Sequence, residues 1–165
     1  KIITTGGGGA LITDDRDLAR RAKHLTTTAK QPHPWLFLHD QVGYNYRLPN
    51  INAALGCAQM EQLPTFVNKK RKLAHQYRNW FAERDQEFVS EPSGAASNYW
   101  LNSIVLANID ERDEFLTFTN SRNVMTRAMW TPMHTLPMYR GCYRTDLSNT
   151  EAIEKRLVNI PSSVV

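Results

Sequence analysis

The feature that most restricts the fold is a change of period near residue 85. Before it, helical spacing dominates: Phe66, Val67, Leu73, Ala74, Tyr77 and Phe81 share one stripe of a long helix. After it, short apolar runs alternate with helical ones. "EFVSEP" and "NYWLNSIVLA" read as strands separated by the turn "SGAAS". "DERDEFLTFTNSR" reads as a helix with Asp110 near its cap, and "VMTRAMW" as a third strand. "TPMHTLPMYRGC" is a proline-punctuated loop. "TDLSNTEAIEKRLVNI" reads as the last helix, capped near Ser148 or Thr150, with Ala152, Ile153 and Leu157 inward. This alternation stacks helices on a sheet, so the expected fold class is α/β. A chain of 165 residues is long enough for one sizeable core.

Upstream of the change, "ALIT" after the glycine run reads as a short buried strand. Asp14 or Asp15 can then cap the helix "RDLARRAKHL", whose Leu18, Ala22 and Leu25 fall on one face. Residues 26–49 show no clear period, yet Trp35, Leu36, Phe37, Tyr44 and Tyr46 make them too apolar for a disordered excursion. An irregular stretch of that length is often functional. "NINAALGCAQMEQL" reads as a helix with Asn50 as cap, and Pro64 is expected to end it and to open a second helix.

Composition removes several function classes. No apolar run is long enough for a membrane-spanning helix, and no charged-then-apolar leader pattern is present. Cys57 and Cys142 lie far apart, which suits reduced thiols and a cytoplasmic setting. The five histidines have no paired spacing, so no metal is expected. The net charge of +4 is concentrated in Arg20-Arg21-Lys23 and Lys69-Lys70-Arg71-Lys72, which read as solvated helix faces. No nucleic-acid-binding signature accompanies them, and a nucleic-acid partner is not expected.

Three separated segments carry chemistry. Lys1 precedes Thr5 and Gly6 to Gly9, a run that is neither GxGxxG nor a Walker loop. By itself the run is a flexible linker or an anion cradle, and Lys1 is a solvated charge or a nucleophile. The second segment is "VGYNYRLPNINAALG", and the third is "PMHTLPMY". In this order and spacing the chain resembles the sugar aminotransferases of the DegT/DnrJ/EryC1/StrS group, within the fold-type I pyridoxal-phosphate enzymes. The resemblance rests on Lys1, Thr5 and the glycines leading into "ALITDD"; on Gly43, Asn45, Arg47, Leu48, Ala53, Ala54 and Gly56; and on Pro132, His134, Pro137 and Tyr139. It runs over essentially the whole chain. "SNYWLNSIVL" and "RLVNIPSS" look most like the subgroup acting on 4-keto sugars on routes to bacillosamine- or legionaminic-type products. One departure is "GGGG", where many members have a glutamate among the glycines.

The resemblance implies a set of roles. Lys1 would be the Schiff-base lysine to pyridoxal 5′-phosphate and would then shuttle the proton. Asn45 and Arg47 would reach across a homodimer interface to the partner's cofactor phosphate, since an amide and a guanidinium suit that dianion. His134 and Tyr139 would line the sugar-nucleotide site. Lys30 and His33 would contact the nucleotide diphosphate. The expected reaction is transfer of an amino group from glutamate to a nucleotide-linked 4-keto-6-deoxy sugar. Residues 1–62 would be a remnant of the large cofactor-binding domain carrying a dimer-contacting loop, and residues 63–165 a long helix and a small α/β domain. In the family, the aspartate that pairs with the cofactor ring and the turn that holds its phosphate precede the lysine. The chain is therefore expected to be the C-terminal part of an enzyme. The competing expectation is a truncated relative, without catalysis, that serves as a dimerisation or interaction module.

Overall fold

Local chemistry sets the helix starts. The computed structural model describes residues 1–164, which divide into two units: Lys1 with Ile3–Leu63, and Ile2 with the chain from Pro64 onward. In the first unit, α1 (Arg16–Thr26) begins where Asp15 accepts the amides of Asp17 and Leu18 at 2.8 and 3.1 Å. These bonds satisfy two of the amides that a helix start leaves unpaired. Helix α2 (Asn50–Phe81) starts in this unit. The N-terminal segment lies along its first turns. Asn52 Nδ2 donates to the Thr5 carbonyl at 2.6 Å, and Thr4 N donates to Gln59 Oε1 at 3.3 Å. Gly56 sits between them, where an added Cβ would meet Thr5 Cγ2 at 3.1 Å. Positions 52, 56 and 59 share a helix face, so one side of α2 grips the extended chain.

Two expectations fail in this region. "ALIT" forms no strand. Leu11 and Ile12 are 74% and 94% exposed, and no strand of the described residues pairs with them. A strand needs a partner for its backbone groups, and β-type residues alone do not supply one. Pro64 does not break the helix either: α2 runs through it as a single 32-residue helix. Proline forfeits one amide donor, which a helix this long can absorb.

In the second unit the sheet has strands β1 (Glu87–Phe88), β2 (Asn102–Val105), β3 (Arg127–Ala128) and β4 (Leu157–Ile160), ordered β1-β2-β4-β3 and antiparallel throughout. Between them run α3 (Ile109–Ser121) and α4 (Ser148–Glu154). The result is mixed helix and sheet, with shorter strands than the sequence suggests. Residues 157–160, read as the tail of the last helix, are instead the strand flanked on both sides. All four are buried, and three of them are apolar, as suits a strand paired on both edges. Asn108, not Asp110, caps α3 by accepting the Glu111 amide at 2.9 Å.

The core of this unit gathers Ala74 of α2 with Phe88, Tyr99, Ile104, Leu106, Val158 and Ile160. Tyr77, Phe81, Phe115 and Leu116 pack against it. Burying Ile104 and Val158 fully contributes about 1.5 to 3 kcal/mol each. At the rim, the Arg71 guanidinium grips Glu91 through two bonds of 3.0 and 2.8 Å. The Ser97 amide adds a third bond to that carboxylate at 2.6 Å. These three donors hold the Glu91 carboxyl below the usual carboxylate range, the arginine most of all. Among the described residues no helix is long and apolar enough to cross a membrane.

Candidate functional site

After α1 the chain turns through two non-glycine residues in the left-handed region, Thr28 (φ 72°) and Ala29 (φ 50°). Such residues are uncommon and persist only where the surroundings hold them. Here Ala29 is fully buried, and its amide donates to His24 O at 2.8 Å. The chain then makes an excursion and returns beside its own start. Gln31 N donates to Leu38 O at 2.8 Å, Tyr44 N to Leu25 O at 2.7 Å, and Tyr46 N to Thr26 O at 2.9 Å. Residues 26–49 are therefore an ordered, self-bonded loop. His24 Nε2 bonds Asp40 Oδ1 at 2.6 Å, and this hydrogen bond holds the Asp40 carboxyl below its ordinary value.

The returning segment carries Asn45 and Arg47. Asn45 forms a backbone bridge with Thr27. Gly43 makes that return possible, because an added Cβ would lie 2.4 Å from the Thr28 carbonyl carbon and 2.5 Å from Ala29 N. Only glycine fits a backbone crossing so close.

Two cavities meet this segment. The larger, about 890 Å³, is lined by Gly7 to Gly9, by Leu18, Ala22 and Lys23 of α1, and by Tyr46, Arg47, Leu48 and Asn52. The apolar face of α1 is thus turned toward an open cleft, and α1 has no buried residue. Gly8 has φ 134°, and a Cβ there would strike Leu48 Cδ1 at 2.8 Å, so the cleft wall needs bare backbone at that point. Lys1 and Asn45 are not among the lining residues.

The second cavity, about 530 Å³, brings Lys30, His33 and Arg47 together with Thr27 and Gln31, and no carboxylate lines it. Lys30 Nζ sits 4.3 Å from the Phe37 ring centre. His33 Nδ1 accepts the amides of Trp35 and Leu36 at 3.3 and 3.0 Å. That nitrogen therefore presents its lone pair, and Nε2 carries the ring proton as a donor. Three donors of positive or neutral character around one hollow suit an anion.

In the second unit, His134 and Tyr139 share a third cavity of about 370 Å³ with Pro132, Cys142, Tyr143 and Arg144. His134 lies on a 3₁₀ turn, Met133–Thr135, and Tyr139 on the next, Pro137–Tyr139. His134 Nε2 is 2.8 Å from Glu151 Oε1. Sequence reasoning missed Glu151 and Asn52, whose partners lie 17 and 47 positions away. The spacing of Asn52, Gly56 and Gln59 on one helix face was the available signal for the second.

Residues 1–164 match the DegT/DnrJ/EryC1/StrS aminotransferase family. A GDP-perosamine synthase of Escherichia coli O157:H7 is 35% identical over 162 residues, covering 98% of this chain and 44% of that protein. A dTDP-4-dehydro-2,3,6-trideoxy-D-glucose 4-aminotransferase of Saccharopolyspora spinosa is 28% identical over 154 residues, covering 86% of this chain and 40% of that protein. Among solved structures, the aminotransferase TlmJ from Streptoalloteichus hindustanus superposes with a TM-score of 0.87 at 26% identity, covering 98% of this chain and 44% of that one. The chain thus spans less than half the length of the relatives it matches.

Proposed function

The chain belongs to the DegT/DnrJ/EryC1/StrS aminotransferase family, and from that premise we propose that the protein it forms part of moves an amino group from glutamate to the 4-keto carbon of a nucleotide-linked 6-deoxy sugar. Members of the family depend on pyridoxal phosphate. The observation that carries the reading is the family match over residues 1–164, a range that includes all three segments. The naming of one relative as a 4-dehydro-sugar 4-aminotransferase supports the substrate class.

The residues present fit the cofactor in kind. They offer a primary amine at Lys1, and a guanidinium and an amide two residues apart at Arg47 and Asn45. They also offer a glycine wall whose backbone is bare where a Cβ would strike Leu48. When bound, the cofactor supplies an electron sink for the carbon that gains or loses the amine. In this reading Lys1 Nζ would hold the cofactor and, when free of it, would move the proton at the reacting carbon. Asn45 and Arg47 bind the phosphate of the cofactor carried by a second copy of the protein. Lys30 and His33 meet the nucleotide diphosphate in the hollow that also reaches Arg47. His134 and Tyr139 bind the sugar nucleotide.

The same proposal makes the protein a homodimer with shared sites. Its support is the apolar surface of the loop: Trp35, Phe37, Val42 and Tyr46 are each more than 70% exposed. Several large apolar side chains exposed on one loop suit an interaction surface. Residues 1–62 would then belong to the large cofactor-binding domain and residues 63–165 to the small one, with the work done in the cytoplasm. The test is incubation of the protein with pyridoxal phosphate, glutamate and a nucleotide 4-keto-6-deoxy sugar. 2-Oxoglutarate and the amino sugar should appear together, and Lys1→Ala should abolish both along with the visible absorbance of the bound cofactor. No product from fully loaded protein would overturn the proposal.

A further inference from the structure

We propose that Glu151 is a positioning residue that sets the His134 ring, so that His134 Nδ1 accepts a hydroxyl hydrogen bond from the sugar. The proposal rests on the reading of His134 as a sugar-binding residue. Glu151 lies in the first turn of α4 and is not among the residues lining the cavity, whereas His134 is. The carboxylate therefore reaches the ring from outside the lining, at 2.8 Å between Oε1 and Nε2. The His134 side chain is 13% exposed and that of Glu151 is 51% exposed.

For the neutral ring the chemistry of the pair leaves one arrangement. A carboxylate only accepts, so Nε2 must carry a proton, because a lone pair on Nε2 would face the carboxylate oxygen and repel it. With the proton fixed there, the neutral ring presents Nδ1 as an acceptor. Sugar hydroxyls are donors that such a nitrogen can orient. The backbone beneath the ring is already fixed. Thr135 N and Thr135 Oγ1 both donate to Pro132 O, at 3.0 and 2.8 Å, and Leu136 N donates to Met133 O at 3.1 Å. Pro132 and Pro137 restrict the chain on both sides. What the turn leaves undetermined is the orientation of the ring and the site of its proton, and Glu151 determines both.

Two measurements on the intact protein test this. The ring nitrogen shifts of His134 should report a single Nε2–H form in the wild type, a mixture of the two forms in Glu151→Ala, and the wild-type form in Glu151→Gln, whose amide oxygen still accepts. In steady state, Glu151→Ala should raise KM for the nucleotide sugar about tenfold, the equivalent of one hydrogen bond. Its kcat and its KM for the amino donor should stay within about twofold, and Glu151→Gln should remain near wild type. His134→Ala and the double variant should lose the same amount, since Glu151 acts only through the ring. A raised KM in His134→Ala with no change in Glu151→Ala would overturn the positioning role alone. Additive losses in the double variant, or a melting temperature that falls in both Glu151 variants, would make Glu151 a structural residue and overturn it as well. An unchanged KM in His134→Ala would instead remove the sugar-binding reading beneath it.

Discussion

Replacing Gly43 with alanine should unseat the segment that carries Asn45 and Arg47. The new Cβ would lie 2.4 Å from the Thr28 carbonyl carbon, 2.5 Å from Ala29 N and 2.8 Å from Ala29 Cβ. The first two are backbone atoms, and they belong to residues already in the left-handed region, of which Ala29 is also tied to His24 O. No side chain can swing away, so the two segments must separate by about 1 Å to regain ordinary contact. The bonds across this crossing are Thr28 N to Tyr44 O at 3.0 Å, Tyr44 N to Leu25 O at 2.7 Å and Tyr46 N to Thr26 O at 2.9 Å. A retreat of that size takes the first beyond hydrogen-bonding range. Overpacking against an unyielding neighbour costs roughly 1 to 3 kcal/mol. Amide exchange at Thr28, Tyr44 and Tyr46 should therefore quicken by about 5- to 150-fold. Gly7→Ala is the internal control, because nothing lies within 4 Å of a Cβ there. Equal exchange rates in the two variants would show that the close crossing is not what glycine serves at position 43.

Two further outcomes concern the second unit. Glu91 has its folded value depressed by Arg71 and the Ser97 amide, so its contribution is full above the ordinary carboxylate value and is lost as pH falls through the folded one. A melting curve taken against pH should lose part of its acid slope in Glu91→Gln, and an unchanged slope would refute the assignment. Asn102 is fully buried on β2, and among the described residues neither its Nδ2 nor its Oδ1 has a partner. Asn102→Leu should raise stability in urea by about 1 to 3 kcal/mol, the cost of burying an unpaired polar group. A lowered midpoint would mean that the amide is satisfied in solution.

Much of the first unit was legible because its signals are local. The Asp15 cap acts over two and three residues, and the lack of period in residues 26–49 marked the loop on which Lys30, His33 and Arg47 converge. The motif that names Gly43, Asn45 and Arg47 located the segment without explaining it. The explanation is a crossing with residues 28 and 29, and sequence spacing does not contain it. His134 and Tyr139 were named together and do share a cavity, because two adjacent short turns carry them. Glu151 was not named, since a glutamate in a first turn reads as a favourable helix charge until the fold brings an imidazole to it.

By itself, then, the sequence determined which stretches could be helical and where α1 begins, because periodicity and capping act within a turn or two, and its three motif segments carried the family resemblance. β1, β2 and β3 fall inside stretches that already read as strands, whereas tertiary structure decided the fate of two other apolar runs. "LVNI" is a strand because β2 and β3 pair with it on either side. "ALIT", equally apolar, is not one, because no described strand meets it. A strand's backbone bonds are made with residues far away in the chain, so its existence depends on neighbours that no local pattern records.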